Sequence, residues 1–342
     1  MIKISTTIKD VAQKSGLSIA TISKYINGGN VLDKNKIVIQ NAIDELNFKV
    51  NEMARGLKTN KTKTVGIALP ELNNLFFTSI VSKIEDVILK EGYGTIICDY
   101  KQDYDLEKKK LDFLVNKSVD AIVLIPSGKE ENEINEILKN GTPVILIDRL
   151  LKGVECDVVL GDNLSSSYNA VEQLFIMGHK RVGVIIGPKE MYTAEQRLKG
   201  YYRVHEDYSL RIDLDLIKYG DYRMDSGYIL FKELLNMENA PTAIYVTNYE
   251  MTLGAVMAIN EMNIKIPNDL SIIGFDNMDL VKVINPPLSV VVQPVESIGE
   301  TTAKLLLKRM NGDNSNFPSV NRLKAKLIIT KSIEKLNEEK HV

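Results

Sequence analysis

Ten polar and aromatic residues follow short apolar runs of this sequence or lie on the segments between them, and their chemistry suits ligand binding. Carboxylates and amides exchange hydrogen bonds with adjacent hydroxyl groups, and an arginine can bridge two oxygens. Aromatic faces pack on the C–H surfaces of a sugar. The set therefore predicts a pocket for a polyhydroxyl ligand. Its members are Asn74, Phe76, Phe77, Asp148, Arg149, Arg197, Tyr222, Asn248, Asp276 and Gln293.

The elements before these residues are expected to bring them together. Eight short, apolar and β-branched segments have the composition of buried parallel strands. Amphipathic segments such as 77–91 and 251–262 separate them, and this alternation predicts βαβ units in doubly wound parallel sheets, an α/β fold. Ligands of open α/β sheets bind beyond the carboxyl ends of the strands. The predicted strands are residues 65–69, 95–99, 121–125, 144–147, 182–186, 243–246, 271–275 and 290–292.

This pattern runs twice, once over residues 64–161 and again from residue 162 onward. The repetition predicts two half-domains with a cleft between them.

The N-terminal segment has short helical periods and no strand-like run, and it predicts a helix-turn-helix. Thr7 and Asp10 have the spacing of a capping box at the start of a first helix. Gly16 stands where the chain must turn tightly, since positive φ is favourable for glycine but not for other residues. Ser18 can cap a second helix over residues 19–27.

A third helix, capped by Asp33, would complete a small core, and the second helix is then the one that reads the major groove. Ile19 and Ala20 can contact thymine methyl groups, and Lys24 can donate to guanine O6 or N7. Hydroxyl and amide side chains suit the phosphates, which position the head without specifying sequence. The polar DNA-binding residues are Thr7, Ser18, Thr21, Ser23 and Asn27.

Charge is distributed unevenly along the 342 residues. Residues 1 to 63 hold eleven Lys and Arg and five Asp and Glu, a net charge of +6. The remainder holds 32 basic and 40 acidic residues, a net charge of −8, which gives −2 for the whole chain. A basic head on an acidic body indicates that the head meets nucleic acid.

The composition predicts a globular protein without cofactor, metal or membrane segment. No apolar run reaches the ~18 residues of a membrane span, and the N-terminus lacks the pattern of a signal peptide. Cys98 and Cys156 are expected to be reduced thiols of a cytoplasmic protein, and three His residues predict no metal site. Because neither a Gly-rich phosphate fingerprint nor G-x-S-x-G occurs, we expect no catalytic residues and no enzyme.

The segment TIKDVAQKSGLSIATISKYIN, residues 7–27, resembles the head of the LacI/GalR family of bacterial regulators. The similarity continues through NEMARGLKTNKTKTVGIALP and on to Thr330. It implies a helix-turn-helix DNA-binding domain over residues 1–50, followed by a hinge helix and linker over 51–63. Members of this family bind palindromic operators as homodimers.

In that family a leucine of each hinge helix wedges between base pairs of the minor groove, which bends the duplex. Leu57 takes this position here. The residues around it that the resemblance places on DNA are Asn51, Ala54 and Arg55. Two departures bear on the head: Val50 stands where the family usually has Pro, and Lys24 replaces the more usual Arg.

The remainder resembles periplasmic sugar-binding proteins, which implies a ligand-binding and dimerisation core over residues 64–334. Its N-subdomain would span about 64–161 and 293–322, and its C-subdomain about 162–292 and 323–334. The ten pocket residues, taken position by position, resemble the ribose-binding type, which implies an unphosphorylated pentose or a similar small sugar. Tyr249, where the family usually has Asp, and Leu75, where Pro is common, depart from that pattern.

These features predict an allosteric transcription repressor that a small sugar effector releases from double-stranded DNA. Sugar-sensing members of the family are usually induced in this way, whereas purine-sensing relatives respond in the opposite sense. A regulator with a phosphorylated or purine corepressor therefore stays open. A solute-binding transport protein is the alternative from another functional class.

Overall fold

A computed structural model describes residues 6–49, 61–128, 131–276 and 284–336. The chain separates into two compact units, Met1–Lys63 and Thr64–Val342. The smaller unit is a helical head, and the larger unit holds two six-stranded sheets.

The head contains α1 (Ile8–Ser15), α2 (Ile19–Ile26) and α3 (Asp33–Glu45), close to the three helices that the sequence predicts. Each helix is too short to be stable alone, so packing of the apolar faces must hold them together. The core that they share consists of four buried side chains, Val11, Ile22, Ile39 and Ala42.

Local hydrogen bonds fix where α1 and α2 begin and end. The Asp10 carboxylate accepts from the backbone nitrogen of Thr7 at 2.7 Å and from its hydroxyl at 2.8 Å. Gly16 ends α1 with φ of 68°, in the left-handed region. The Ser18 hydroxyl accepts from the backbone nitrogen of Thr21 at 3.1 Å. The predicted turn and cap of the helix-turn-helix are thus confirmed.

Asp33 does not cap α3, and on this point the sequence prediction was wrong. The helix begins at Asp33 itself, with Leu32 in the N-cap position. The Asp33 carboxylate accepts instead from Lys36 Nζ at 2.8 Å. An acidic residue in the first turn still interacts favourably with the helix dipole, so Asp33 stabilises α3 from inside it.

The strands of the larger unit are mostly parallel. They are β1 (Thr64–Leu69), β2 (Gly94–Asp99), β3 (Ala121–Leu124), β4 (Val144–Ile147), β5 (Asp157–Gly161), β6 (Val182–Ile186), β7 (Ile217–Tyr219), β8 (Ala243–Val246), β9 (Ser271–Phe275), β10 (Ser289–Val292), β11 (Val320–Leu323) and β12 (Lys326–Ile328). The first sheet has the order β11-β5-β4-β3-β1-β2, and the second has the order β12-β10-β9-β8-β6-β7. Among the described strands, β10 and β12 form the antiparallel pair and the other pairs are parallel.

Helices cover both faces of each sheet, which is why most strands are apolar throughout. Ile67 of β1 packs into one core of the first sheet, and its neighbour Ala68 packs into the core on the opposite face. The second sheet has the same arrangement with Val184 and Ile185. The helices are α4 (Leu75–Ile88), α5 (Tyr104–Asn116), α6 (Glu131–Lys139), α7 (Asn163–Ile176), α8 (Tyr192–Asp207), α9 (Met224–Leu235), α10 (Tyr249–Glu261) and α11 (Val295–Met310), with short 3-10 turns at Leu89–Glu91 and Leu214–Leu216.

The chain passes between the two sheets three times within the described residues. It leaves the first sheet after β5, returns after β10 through α11, and leaves again between β11 and β12. The crossings lie at the carboxyl ends of β5, β10 and β11, so they join the two halves beside the edges where ligands of such sheets bind.

All eight predicted strands are present, and their bounds differ from the prediction by one residue at most. The prediction missed β5, β7, β11 and β12. β5 begins at Asp157 and ends at Gly161, and both residue types are depleted in strands. The other three are short edge strands with exposed positions, so they lack the apolar run that marks a central strand.

Candidate functional site

A cavity lies between the carboxyl ends of the two sheets, and its wall includes all ten residues of the predicted pocket. Its empty space, including the part open to solvent, is about 690 Å³. The structure therefore brings together residues that are as far apart in the chain as Asn74 and Gln293.

Three of these residues have a strained backbone. Asp148, Tyr222 and Asp276 have φ of 66°, 69° and 70°, in the left-handed region that non-glycine residues seldom adopt. Asp148 directly follows β4, and Asp276 directly follows β9. Such strain persists where the surrounding structure enforces it, and it clusters at ligand sites.

Arg197 lies at the floor of the cavity and is 4% exposed. Its Nε donates to Asn163 Oδ1 at 2.8 Å, and its Nη1 donates to the carbonyl oxygen of Thr247 at 2.5 Å. The guanidinium also stacks over the ring of Phe275, with 3.9 Å from Cζ to the ring centroid. These three contacts hold the cation in one place, and its charge acts on the nearby carboxylates of Asp148 and Asp276.

Arg149 is held more loosely. Its Nη1 donates to the carbonyl oxygen of Pro126 at 2.7 Å, while its Nε lies 3.7 Å from the nearer Asp148 oxygen, too far for a hydrogen bond. Among the described residues, two buried side-chain atoms lack a hydrogen-bond partner, Arg149 Nε and Gln293 Oε1. An unpaired buried polar atom costs roughly 1–3 kcal/mol, so a ligand that pairs both atoms would recover that free energy.

Gln293 and Asp276 form a second buried pair. Gln293 Nε2 donates to Asp276 Oδ1 at 2.7 Å. Burial raises the pKa of Asp276, and Arg197 and the hydrogen bond from Gln293 act in the opposite direction. Burial likewise raises the pKa of Asp148, against the opposing charges of Arg149 and Arg197.

The ring of Tyr222 lies close to Gly187, the residue that follows β6. Its hydroxyl lies 2.8 Å from Thr193 Oγ1. A Cβ on Gly187 would lie 2.0 Å from Cζ of the Tyr222 ring, so glycine is required there for this ring position. Burial raises the pKa of the Tyr222 hydroxyl, which stays a neutral hydrogen-bond donor.

Asn74 and Asn248 line the cavity but also cap helices. Asn74 Oδ1 accepts from the backbone nitrogen of Phe76 at 3.1 Å at the start of α4. Asn248 Oδ1 accepts from the backbone nitrogen of Met251 at 3.1 Å, and its Nδ2 donates to the carbonyl oxygen of Tyr222 at 2.9 Å. Helix capping is thus a sufficient reason for both residue types, independent of any ligand.

The apolar part of the wall comes from Phe76 and Phe77, whose rings meet edge to face with centroids 5.4 Å apart. Sequence reasoning missed six further wall residues and treated a seventh, Tyr249, as a departure only. Pro70, Glu71 and Gln102 follow β1 and β2, so listing every residue after each strand would have found them. The remaining wall residues are Pro188 and Met191, between β6 and α8, and Thr193 in the first turn of α8.

In the head, the predicted base-contacting residues are exposed on α2. Ile19 is 45% exposed, and Ala20 and Lys24 are exposed as well. The stem of Lys24 lies along Gly29, where an added Cβ would approach Lys24 Cγ to 2.6 Å. The exposed apolar residues of this helix have no role in the core of the head.

The predicted phosphate-contacting residues make local hydrogen bonds. Ser18 Oγ lies 2.8 Å from Thr21 Oγ1, and Asn27 Nδ2 donates to the carbonyl oxygen of Ser23 at 2.7 Å. Thr7 is exposed at the start of α1 and bonds to Asp10. The predicted hinge residues lie outside the described part of the chain, and they are Asn51, Ala54, Arg55 and Leu57.

The described ranges hold neither a metal-binding cluster nor a helix that could span a membrane. No group of His, Cys, Asp and Glu there is arranged to hold a metal ion. None of the helices that the structure describes has the length and apolar character needed to cross a membrane. Cys98 and Cys156 are both buried and free.

Comparison with known proteins matches both units of the chain. Residues 7–51 match the model of bacterial regulatory proteins of the lacI family, and residues 171–333 match a periplasmic binding protein-like domain. Catabolite control protein A of Priestia megaterium is 34% identical over 310 residues, which cover 90% of this chain and 93% of that protein.

Two solved structures extend the comparison. The lac repressor dimer bound to operator and an anti-inducer has a TM-score of 0.86 at 23% identity, covering 96% of this chain and 99% of that one. A LacI family transcriptional regulator from Enterococcus faecium with bound ribose has a TM-score of 0.72 at 28% identity, covering 80% and 100%. The chain therefore belongs to the lacI family of bacterial regulatory proteins, which are DNA-binding transcription regulators with a ligand-binding core and not enzymes.

Proposed function

We propose that this regulator is a homodimeric repressor and that its effector is a small unphosphorylated sugar, with a ribose-like pentose as the first candidate. The observation that carries the effector class is the convergence of the ten predicted residues on one cavity. Two buried atoms of that cavity, Gln293 Oε1 and Arg149 Nε, call for one donor and one acceptor from a ligand. A hydroxyl group supplies either.

The charges around the cavity support a neutral ligand. Arg149 and Arg197 are matched by Asp148 and Asp276, and Glu71 adds a further acidic group to the wall. A phosphate would have to approach these carboxylates, and like charges in a buried site repel strongly. A polyol can instead accept from the guanidinium groups and donate to the carboxylates.

The regulator from Enterococcus faecium supports a ribose-like ligand for this chain, since it was solved with ribose bound and shares the fold of the core at 28% identity. Phe76 and Phe77 at one wall and Tyr222 at the other provide the faces on which the carbons of a pentose ring can pack.

For operator recognition we assign base contacts to Ile19, Ala20 and Lys24. Their exposure at the start and middle of α2 supports this role, because the N-terminal part of a reading helix faces the bases. We assign phosphate contacts to the hydroxyl and amide residues, and minor-groove contacts to the hinge around Leu57. The polar set is Thr7, Ser18, Thr21, Ser23 and Asn27, and the hinge set is Asn51, Ala54, Arg55 and Leu57.

We assign the coupling between the two sites to closure of the cleft. The proposed N-subdomain is 64–161 with 293–322, and the proposed C-subdomain is 162–292 with 323–334. The strands of each sheet fall within one of these parts, except that Leu323, the last residue of β11, lies one position beyond the proposed N-subdomain. A sugar that contacts both parts favours the closed form by the difference between its affinities for the two forms, and repression would be relieved through that difference.

The effector is tested by thermal unfolding of the purified protein with D-ribose, D-ribose 5-phosphate and hypoxanthine, each at millimolar concentration. We expect D-ribose to raise Tm, since a ligand at about 100 times its Kd stabilises a protein by about 2.7 kcal/mol. An operator is then selected from a random DNA pool, and D-ribose should lower the affinity for it. A Tm response to the phosphate or the purine alone would refute the pentose, and tighter operator binding with D-ribose would refute induction.

A further inference from the structure

The first crossing between the two sheets, residues 161–163, lies directly behind two side chains of the effector cavity. Gly161 ends β5, and Asn163 begins α7. Neither residue is part of the cavity wall. We propose that Gly161 and Asn163 are positioning residues that set the hydrogen-bonding geometry of Gln293 and Arg197 toward the sugar. This inference rests on the effector site proposed above.

Gly161 acts by having no side chain in the space beside Gln293. A Cβ at this position would lie 2.8 Å from Gln293 Oε1, closer than real Cβ contacts allow. The φ of Gly161 is not in the left-handed region, so its backbone does not require glycine. The absence of a side chain is needed because the Gln293 amide occupies that space, with its Nε2 on Asp276 and its Oε1 unpaired.

Asn163 acts through a chain of hydrogen bonds. Its Nδ2 donates to the carbonyl oxygen of Gly161 at 3.3 Å, and its Oδ1 accepts from Arg197 Nε at 2.8 Å. Asn163 is 3% exposed, so it has no solvent with which to exchange these bonds. The orientation of the amide is fixed, and it fixes in turn which nitrogens of Arg197 remain directed to the cavity.

Both residues lie on one short segment that connects the two halves of the core. Gln293 lies at the second crossing, directly after β10, and Gly161 ends a strand of the other sheet. Contact between Gly161 and Gln293 therefore joins the first crossing to the second. A change in the angle between the halves would move these two segments relative to each other. The side chains proposed to bind the sugar are therefore positioned at the segments that link the halves.

The substitution Gly161→Ala tests the first residue. We expect the Gln293 amide to be displaced and the Kd for D-ribose, measured by titration calorimetry, to rise about tenfold, the effect of one lost hydrogen bond. Gly94→Ala is the control, since Gly94 is also a terminal residue of a strand, the first of β2, and has nothing within 4 Å of an added Cβ. In a Gln293→Ala background Gly161→Ala should have no further effect, and an undiminished tenfold effect there would overturn the proposal.

Two substitutions test the second residue. Asn163→Ala removes the acceptor for Arg197 and should raise the Kd for D-ribose by about 10- to 100-fold, because the hydrogen bond involves a charged group. Asn163→Asp keeps an oxygen at that position and should restore most of the affinity. Equal losses for both variants would show that Asn163 supports only the fold.

Failure of the effector assignment can be distinguished from failure of this proposal. If the unaltered protein gives no heat with D-ribose, the pentose is wrong, and crystal structures of effector-free Gly161→Ala and Asn163→Ala decide the positioning roles. We expect the first variant to lose the 2.7 Å bond between Gln293 and Asp276 and the second to turn the Arg197 guanidinium. Unchanged positions of both side chains would overturn the proposal whatever the ligand is.

Discussion

Arg309 of α11 forms a bidentate ion pair with Asp157, the first residue of β5, and both side chains are almost completely buried. Nε lies 2.6 Å from Oδ2, and Nη2 lies 3.0 Å from Oδ1. Ser319 also donates to Oδ1, from its backbone nitrogen at 2.9 Å and its hydroxyl at 2.6 Å. The pair thus connects the last helix, β5 and the segment that leads into β11.

We expect Arg309→Met to destabilise the core by about 3–5 kcal/mol, because it leaves the Asp157 carboxylate buried without its cation. The free energy of unfolding from urea titration measures this loss. Lys304→Met is a suitable control, since Lys304 is 73% exposed and lies 3.7 Å from Glu300, and such surface pairs contribute ~0–1 kcal/mol. Comparable losses in the two variants would contradict the role of the buried pair.

The ion pair between Arg309 and Asp157 predicts that the free energy of unfolding depends on pH. Burial alone would raise the pKa of Asp157, but hydrogen bonds from Arg309 and Ser319 outweigh it and leave the pKa lowered. The stabilisation is therefore complete above the unfolded-state pKa of about 3.9, and it is lost as pH falls through the lower folded-state value. We expect the difference in unfolding free energy between the unaltered protein and Arg309→Met to be smaller at pH 3 than at pH 7. A difference that stays constant would exclude charge pairing as its source.

Asp276→Ala should abolish the response to the sugar while operator binding by the effector-free protein persists. The change removes an acceptor from the cavity and takes away the partner of Gln293 Nε2. Titration calorimetry with D-ribose and fluorescence anisotropy with labelled operator separate the two effects. A variant that still releases operator on addition of the sugar would remove Asp276 from the site.

Lys24→Ala should weaken operator binding by about 1–3 kcal/mol and relax the base preference at one position of each half-site. Ser23→Ala should instead lower affinity similarly for all sequences, as expected of a phosphate contact. Anisotropy titrations against operators substituted at each base pair measure both patterns. If Lys24→Ala lowers affinity uniformly, then Lys24 contacts phosphate and the base assignment is wrong.

Leu57→Ala should weaken operator binding and leave the affinity for the sugar unchanged. Its role as a wedge is inferred from the family resemblance, since a side chain that unstacks one base step must be large and apolar. DNA bending, measured by energy transfer between dyes at the operator ends, should decrease together with affinity. Unchanged bending would show that another residue opens the step.

The sequence predicts the central strands and the pocket well for a common physical reason. A strand that is buried on both faces must be apolar throughout, so β4 and β9 are recognisable, and the polar residues directly after them, Asp148 and Asp276, fall at the site. Edge strands have no such constraint, and β11 and β12 alternate between exposed and partly buried positions, which conceals them.

Other features of the site depend on tertiary contacts that spacing does not contain. Thr193 lies in the cavity wall beside the Tyr222 hydroxyl, 29 positions away in the chain. Glycine is needed at 187 because of Tyr222, 35 positions away in the chain, and at 161 because of Gln293, 132 positions away. Helix capping by Asn74 and Asn248 also shows that a polar residue after a strand has two physical explanations, which residue type alone does not separate.

The three crossings between the sheets have a consequence for synthesis of the chain. The edge strand β11 of the first sheet and the edge strand β12 of the second both come from residues 320–328, near the C-terminal end. While the ribosome is still adding these residues, both sheets lack a strand, and β5 and β10 are exposed as open edges. The head, by contrast, is complete once its third helix has emerged. A nascent chain thus holds a finished DNA-reading module long before it can hold an effector-binding one.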